Sequence, residues 1–506
     1  MEAANIYIEY IENKINLFEV RGQIDIHSID ALLWTFLIFL VFIISFLSSV
    51  AASTDPDLYI KDSDLDVIEV AEGLESPTSM AFLDENRILV LEKQGKVKEV
   101  IDDKVSDVPI LDIKTKVDDR FERGMLGIAI SENKQNDETD DKDDSKDGDI
   151  PRYIFLFYTE KIPDWYNIKC TSNNCLTNNF VANRLYRYQL EDGKLVDPRL
   201  ILEIPGSKNN RTIMHIGGPL AIGPDNYLYV TIGDGTACSG YEACLEIIQK
   251  GPLRAKTANI QGGIEPNGMG GILRINVREG EFMGSEGILG DEYPLNLYYA
   301  YGIRNSFGLD FDPVTGNLWD TENGPAFGDE INLVEPGFNS GWALIQGVWP
   351  ITNYSQIDPE ENGPQRGFFV NGSNNESEHE FIGDSLIGFD GKGKYSEPEL
   401  AWNKTVGVTA IEFISSDQLG EEYENDILVG TFNDGTIYHF DLNDERKKIF
   451  LEGPLYDKVA NDNEELEQLV FAKGFGAISD IEASPDGLIY VLSISKGKVY
   501  KIIPEV

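Results

Sequence analysis

One histidine in this sequence stands where it could act as a catalytic base. His215 opens the stretch "HIGGPLAIGPDNYLYV", a glycine-flanked loop that leads directly into an apolar strand. Histidine is the side chain that most often takes up a proton in catalysis near neutral pH. Of the other histidines, His27 precedes an apolar run, His379 stands in an acidic stretch and His439 lies within a strand pattern. His215 is therefore the candidate base, with a structural role in its loop as the alternative.

Two further groups of polar residues interrupt strand patterns. Arg304 and Asn305 stand in "YAYGIRNSFGLDFDP", where they could cap strand ends or bind an anionic, carbonyl-rich ligand. The loop "TENGPAFGDEINLVEPGFNSGW" (321–342) surrounds a short strand with a Gly-Pro step, adjacent carboxylates and an Asn-Ser-Gly turn. This loop is either an ordinary connection between strands or the holder of a cation and a ligand. The sequence has no dinucleotide, Walker, zinc-protease or hydrolase-elbow motif.

A recurring unit of strand, tight turn and strand must position these groups. It occurs as "SMAFLDENRILVLEKQGKVKEV", "LAIGPDNYLYVTIGD", "GLDFDPVTGNLWDTEN", "DILVGTFNDGTIYHFDL" and "DIEASPDGLIYVLSISKGKVYKI". Alternation of period two around a short turn is the signature of a hairpin. Diverged hairpins over residues 66–506 predict an all-β fold, a single β-propeller of six blades, with five or seven as alternatives. We expect both ends of this domain to share the closing blade, because closure hides unpaired strand edges.

The N-terminal part of the chain carries a segment typical of membrane spans. The run "ALLWTFLIFLVFIISFLSSVAA" (31–52) has the roughly 20 apolar residues that a span requires. We therefore expect an N-terminal segment (1–30), a transmembrane helix (31–53) and a polar linker (54–65) before the propeller. Lys14 and Arg21 before the run favour a cytoplasmic N-terminus, which would place the propeller on the extracellular side of the cell membrane. A cleaved signal peptide behind a misassigned start codon is the alternative.

Charge and cysteine content limit the partners and the compartment. The 506-residue chain has a formal net charge of −45, which excludes nucleic acid as a partner because phosphate binding requires a basic surface. An acidic run at about 136–149 predicts a disordered surface loop. The pairs Cys170–Cys175 and Cys238–Cys244 are close in sequence and suit two local disulfides in an oxidising compartment. A four-cysteine zinc site is the alternative, although neither pair has CxxC spacing.

The order of several motifs resembles that of one enzyme family. The motifs "ERGMLGIAI", "HIGGPLAIGPDNYLYVTIGDG", "GGILRINV", "YGIRNSFGLDFDP", "ENGPAFGDEINLVEPGFNSGW" and "ISDIEASPDGLIYVL" follow one another as in the soluble glucose/sorbosone dehydrogenases. The likeness covers roughly residues 66–502. It implies a six-bladed propeller that oxidises an aldose sugar or a related small molecule with pyrroloquinoline quinone (PQQ) and calcium.

The resemblance assigns a role to each polar residue near the cofactor. His215 would take the proton from the anomeric hydroxyl of the sugar while hydride passes to the quinone. Arg304 and Asn305 would contact the quinone oxygens. Glu122 stands in the place of a Gln or Glu near the cofactor.

The resemblance also assigns the oxygen ligands of the 321–342 loop. The main-chain carbonyls of Gly324 and Pro325 would bind the calcium that polarises the quinone. Asp329 would lie at the sugar site, and Glu330 would ligate a second, structural calcium. Carbonyl and carboxylate oxygens are the ligands that calcium prefers, which accounts for the composition of this loop.

Several positions depart from the pattern of the family. A lysine and two arginines that bind the carboxylates of PQQ are replaced here by Asn433, Ala477 and Ser479. Where the family has an acidic residue before the histidine, this chain has Met214. Where the family has a glutamine near the cofactor, this chain has Gly235. Each lost charge-assisted hydrogen bond costs about 1.5–3 kcal/mol. The alternative function is therefore a catalytically silent propeller that binds a surface glycan or a protein partner, and lactone hydrolysis by a calcium-bearing propeller is a third.

Overall fold

The structure is a computed structural model that describes residues 58–131, 152–162, 180–205, 214–235, 255–277, 287–350 and 386–505. The chain divides into two compact units, Met1–Pro56 and Asp57–Val506, and all described residues belong to the second unit. Three predicted features lie outside the described residues: the apolar segment 31–53, the acidic loop at about 136–149, and the four cysteines with their proposed pairs.

The predicted membrane anchor is corrected by the structure. Within the described ranges, no helix has the length and apolarity needed to span a bilayer. A span requires about 20 apolar residues, whereas the α-helix α1 is the five-residue segment Asn463–Glu467. The remaining helical segments described are 3-10 turns at Lys256–Ala258, Leu295–Leu297 and Gly453–Asp457. The prediction of a single-pass protein with an extracellular propeller is therefore contradicted in the described part of the chain.

The described residues form sheets built mainly of antiparallel strands. The first sheet contains β3 (Pro77–Asp84), β4 (Arg87–Glu92), β5 (Lys96–Ile101), β6 (Lys104–Val105) and β7 (Leu111–Asp112). The second contains β8 (Met125–Ile130), β9 (Tyr153–Ile162), β10 (Phe180–Glu191) and β11 (Lys194–Pro205). The third contains β12 (Leu220–Ile222), β13 (Tyr227–Ile232), β14 (Gly271–Asn276), β15 (Tyr298–Tyr301), β19 (Phe338–Asn339) and β22 (Lys394–Tyr395).

Three more sheets and one small ribbon complete the described strands. The fourth sheet contains β16 (Ser306–Phe311), β17 (Leu318–Glu322), β18 (Asp329–Val334), β23 (Leu400–Trp402) and β27 (Val459–Ala460). The fifth contains β24 (Val408–Phe413), β25 (Ile427–Thr431), β26 (Ile437–Phe440), β28 (Val470–Lys473) and β1 (Tyr59–Ile60). The sixth contains β29 (Ile478–Ala483), β30 (Ile489–Ser493), β31 (Lys498–Pro504) and β2 (Leu65–Glu72). A two-stranded ribbon pairs β20 (Ile345–Gln346) with β21 (Trp349–Pro350). The pairs β15–β19, β19–β22 and β23–β27 are parallel.

The sheets are arranged around a common axis. Their innermost strands contact one another in the order β3, β8, β12, β16, β24, β29 and back to β3, which closes a ring. Strand β2, from the N-terminal side of the domain, pairs antiparallel with the last strand, β31, as predicted for the closing blade. This closed arrangement is a β-propeller, so the predicted all-β propeller fold is confirmed.

Hydrophobic packing between neighbouring sheets explains the apolar runs in middle strands such as β4 and β9. Leu89 of β4 and Leu156 of β9 share one buried cluster, and Trp402 of β23 and Val429 of β25 share another. Burying one such apolar side chain between two sheets stabilises the fold by about 1.5–3 kcal/mol. The predicted turns adopt the backbone that their residues allow. For example, Gly487 in "SPDG" has a φ of 85°.

The innermost strands line a cavity of about 750 Å³ along the propeller axis. Its wall carries four carboxylates and, in the described part of the chain, no Lys, Arg or His side chain; the acids are Asp310, Glu412, Asp480 and Glu482. Neither His215 nor Arg304 belongs to this wall, so the cavity is separate from the predicted catalytic residues.

Candidate active site

The loop that carries His215 lies against the main chain of the neighbouring strand. His215 itself has a φ of 53°, and Gly217 and Gly218 follow with φ of 70° and 129°. A Cβ atom at Gly233 would lie 2.2 Å from the His215 carbonyl oxygen, so only glycine permits this approach. The glycines on both sides of β13 therefore fix the His215 main chain next to the end of that strand.

The His215 ring lies in a chain of hydrogen bonds. Its Nδ1 is 2.7 Å from Asp234 Oδ1, and its Nε2 is 2.8 Å from Arg304 Nη2. Because an arginine N–H can only donate, His215 Nε2 accepts, and the ring hydrogen lies on Nδ1, where Asp234 accepts it. His215 is therefore a neutral imidazole with its lone pair on Nε2, the form that a general base requires.

Asp234 is itself held in place from its other side. The indole Nε1 of Trp342 donates to Asp234 Oδ2 at 2.8 Å. His215 and Asp234 are 4 % and 7 % exposed, so these hydrogen bonds lie in a largely dry environment. Sequence reasoning missed Asp234, although its position two residues after a strand, in "TIGDG", marks a loop residue at the same end of the propeller as His215.

Arg304 connects His215 to the 321–342 loop. Its Nη1 donates to the carbonyl oxygens of Asn323 at 2.7 Å and Gly324 at 3.0 Å, while Nη2 donates to His215. Its guanidinium also lies over the Trp342 ring, 5.6 Å from the centroid. The structure thus brings together three residues that the sequence placed in the site: His215, Arg304 and Gly324.

Asn305 and Glu122 support the His215 loop through main-chain contacts. The side-chain oxygen of the buried Asn305 accepts from the Gly217 N–H at 3.2 Å, and a Glu122 carboxylate oxygen accepts from the His215 N–H. Both residues lie close to the predicted base. In this arrangement, their observed contacts hold the loop that carries His215.

Asp329 anchors the Gly-Pro loop to a neighbouring sheet. Its Oδ1 accepts from the Gly324 N–H at 2.9 Å, and its Oδ2 accepts from Val406 at 2.8 Å and Gly407 at 2.7 Å. Burial raises the pKa of Asp329, and the three main-chain donors and Arg304 oppose that rise. Asp329 is fully buried and its oxygens face main-chain donors, so its predicted contact with a sugar stays a prediction.

Three carboxylates share one buried face of the fourth sheet, and we call them the strand-face carboxylates: Asp320, Glu322 and Glu330. Glu322 pairs across the strands with Glu330, and Asp320 pairs with Asn332. Burial raises the pKa of Asp320 to about 7 and that of Glu330 to about 8. Burial and the charges of Glu330 and Asp320 raise the pKa of Glu322 well above its ordinary value.

Hydrogen-bond donors already surround the predicted calcium ligand Glu330. Its Oε1 accepts from Gln346 Nε2 at 2.9 Å and from the Gly347 N–H, and its Oε2 accepts from Asn332 Nδ2 at 3.1 Å. Glu330 Oε2 also lies 3.0 Å from Ser340 Oγ, whose single hydrogen is shared with the nearer Glu322 Oε2 at 2.7 Å. A carboxylate has about four lone-pair positions. Three donors therefore occupy Glu330 without competition and leave it about one lone pair, so its role as a calcium ligand stays a prediction.

The Gly324 carbonyl has the chemistry of a calcium ligand, but Arg304 contacts it. A guanidinium and a calcium ion repel each other at one carbonyl oxygen. The predicted calcium at Gly324 and Pro325 therefore requires the Arg304 side chain to rotate away. The same rotation would free His215 Nε2.

The replacements at the carboxylate end of the predicted PQQ site are of three kinds. Asn433 is exposed, and its Nδ2 lies 3.4 Å from the Thr405 carbonyl oxygen. Ser479 is buried and donates to the Pro77 carbonyl at 3.0 Å. Ala477 has no polar side chain. The residues that are present thus fit the redox end of the quinone, where His215 and Arg304 lie, better than its carboxylate end.

The fold and the site together define a β-propeller with a buried histidine hydrogen-bonded to an aspartate and an arginine. A family model described as Glucose / Sorbosone dehydrogenase matches residues 74–368, more than half of the chain. The chain therefore belongs to the glucose/sorbosone dehydrogenase family, and the predicted resemblance is confirmed.

Individual relatives agree with this assignment. The quinoprotein glucose dehydrogenase B of Acinetobacter calcoaceticus is 25% identical over 472 residues, covering 87% of this chain and 88% of that protein. An aldose sugar dehydrogenase of Escherichia coli is 24% identical over 292 residues, covering 58% of this chain and 60% of that protein. The PQQ-bound structure of an aldose sugar dehydrogenase from Streptomyces coelicolor shares the fold, with a TM-score of 0.51, 17% identity and coverage of 88% of this chain and 99% of that one.

Proposed function

We propose that this protein is a PQQ- and calcium-dependent dehydrogenase of aldose sugars, with His215 as the general base. The observation that carries the proposal is the neutral His215, whose Nδ1–H is fixed by Asp234 and whose Nε2 lone pair faces Arg304. Membership in the glucose/sorbosone dehydrogenase family supports the choice of substrate and cofactor.

The chain's own residues supply the proton transfer of this reaction. Oxidation at C1 of an aldose removes one proton from the anomeric hydroxyl and one hydride from the carbon, and the product is a lactone. His215 Nε2 takes the proton, and Asp234 stabilises the imidazolium that forms. Bound PQQ would supply the hydride acceptor.

Arg304 has two roles in this proposal. In the arrangement described here it occupies His215 Nε2 and the Gly324 carbonyl. Once rotated, its guanidinium can donate to the quinone oxygens, together with the amide of Asn305, while Glu122 holds the His215 loop. Gly324 and Pro325 would then offer their carbonyl oxygens to calcium.

We also propose that the six sheets of four to six strands are six blades. The closed ring of innermost strands supports this count, since each sheet contributes one strand to it. In this arrangement the loops bearing Asp234, Arg304 and Gly324 come from neighbouring blades. The site thus depends on the packing of the third sheet against the fourth.

Adding PQQ and calcium to the purified chain tests the proposed function. We expect a quinone absorption band that stays with the protein through gel filtration, and dye-linked oxidation of one or more aldoses. Binding of PQQ without turnover would contradict the assignment of His215 as a base in a working site. If PQQ does not bind, the replacements at Asn433, Ala477 and Ser479 favour the other candidate, a propeller that binds a glycan or a protein partner.

A further inference from the structure

The strand-face carboxylates differ sharply in their hydrogen bonding. Glu330 accepts from Gln346, Gly347 and Asn332, and Glu322 accepts from the Arg304 N–H and from Ser340 Oγ, both at 2.7 Å. Both oxygens of Asp320, by contrast, have no hydrogen-bond partner among the described residues. Asp320 is fully buried, so water outside the protein does not solvate it either.

Two neutral oxygens near Asp320 are also without partners. Asn332 lies opposite Asp320 in the strand register, and its Nδ2 is directed at Glu330. Its Oδ1 and the hydroxyl of Ser306 make no hydrogen bond within the described ranges. The side chains of Ser306 and Asn332 nevertheless lie close enough to Asp320 to act on it as hydrogen-bond donors that oppose the pKa rise caused by burial, although neither contact meets strict hydrogen-bond geometry. Four buried oxygen atoms thus lie together, and the Ser306 hydroxyl supplies the single hydrogen among them.

Buried polar groups without partners are rare because each costs about 1–3 kcal/mol, and more when it is charged. No side-chain cation is among the hydrogen-bond partners of the strand-face carboxylates in the described structure, because Arg304 contacts Glu322 only through its main-chain N–H. A buried cluster of four oxygen atoms that share one hydroxyl hydrogen can be satisfied by a cation with a preference for oxygen. A carboxylate, an amide oxygen and a hydroxyl are the ligand types of calcium and magnesium.

We propose that Asp320, Asn332 Oδ1 and Ser306 Oγ form a buried binding position for a divalent, oxygen-preferring cation. This position is two register pairs away from Glu330 on the same face of the sheet, and Glu330 already accepts three hydrogen bonds. It is separate from the Gly324 and Pro325 carbonyls and rests neither on PQQ nor on sugar oxidation. The cation would neutralise part of the buried negative charge of β17 and β18, the strands on either side of the Gly-Pro loop.

Calcium binding by the full chain, without PQQ or sugar, tests this proposal. The chain is first stripped with a chelator, and calcium bound per chain is then measured by equilibrium dialysis. We expect Asp320→Asn to bind one calcium fewer than the wild type. Asp310→Asn is the matched control, because Asp310 is an aspartate of the same sheet whose oxygens accept main-chain N–H groups from Phe311 and Phe413. The control should keep the wild-type count.

The same number of calcium ions bound by Asp320→Asn and wild type would overturn the proposal and leave Asp320 as a neutral, protonated carboxyl. If Asp320→Asn does not fold, Ser306→Ala decides, since it removes one hydroxyl and no charge. We expect it to weaken the affinity of one calcium by about tenfold. Unchanged affinity in that variant would likewise reject the site. A parallel dialysis with magnesium shows which of the two cations the position prefers.

Discussion

Asp234→Asn is the substitution that most directly probes how His215 is prepared as a base. In the wild type, one Asp234 oxygen accepts from His215 Nδ1 and the other accepts from Trp342 Nε1. Asparagine keeps one oxygen and replaces the other with an amino group. If the amino group faces Trp342, two donors oppose each other. If it faces His215, the ring hydrogen moves to Nε2 and the lone pair that takes the proton is lost.

The size of the expected effect follows from the hydrogen bond that is weakened. A hydrogen bond to a charged group contributes about 1.5–3 kcal/mol, and each 1.4 kcal/mol corresponds to a factor of ten. We therefore expect kcat for dye-linked aldose oxidation to fall by about 10- to 150-fold. KM should change little, because Asp234 lies behind His215 and has no contact with substrate in this account. A kcat within twofold of the wild type would refute the proposed role of Asp234.

A second substitution separates this mechanism from general damage to the site. In the double variant Asp234→Asn with Trp342→Phe, the amide can turn its amino group toward the phenyl ring and its oxygen toward His215. We expect the double variant to recover most of the activity that Asp234→Asn loses. Trp342→Phe alone is the control and should have nearly wild-type activity. If the fold-loss of kcat in the double variant equals the product of the fold-losses in the two single variants, the Trp342 hydrogen bond does not govern the tautomer of His215.

Three further predictions concern other charged groups. Arg304→Ala frees the Gly324 carbonyl, so calorimetry should show tighter calcium binding to the cofactor-free chain, and an unchanged affinity would contradict the contact. Asp329→Asn loses an acceptor for one of three main-chain donors and should lower the free energy of unfolding in urea by about 1–3 kcal/mol; equal stability would contradict its role as a loop anchor. Burial and the carboxylates of Asp480 and Asp310 raise the pKa of Glu482 well above 4.5. A carboxyl whose pKa is raised in the folded protein lowers the free energy of unfolding as pH rises from 4.5 through that pKa, because it must ionise while buried. Glu482→Gln removes this loss, so it should raise Tm more in alkaline than in acidic buffer. An equal shift in both buffers would refute this.

Much of the fold could be predicted because its signals are local. Hairpin turns such as "SPDG" are defined by residues next to each other, and alternation is visible within one strand. Asn226 and Gly487 have positive φ angles, the turn conformation that asparagine and glycine adopt most easily. The apolar run at 31–52 is also a local signal, but it gave a membrane prediction that the described structure contradicts.

The candidate site was only partly predictable because it depends on distant parts of the chain. Motif order identified His215, Arg304 and Gly324, and the structure places them in contact. Their partners could not be read from local patterns: Trp342 contacts Asp234 across 108 positions of sequence. The absence of hydrogen-bond partners at Asp320 among the described residues could not be predicted either, because the sequence of a strand does not show whether an aspartate is buried.

The measurement that tests the central claim most directly compares wild type and His215→Ala, both loaded with PQQ and calcium. The quinone absorption band and dye-linked aldose oxidation are recorded on the same samples. We predict that both proteins bind PQQ, that only the wild type oxidises the sugar at an appreciable rate, and that their thermal unfolding is similar. Equal oxidation by His215→Ala would contradict the assignment of His215 as the general base.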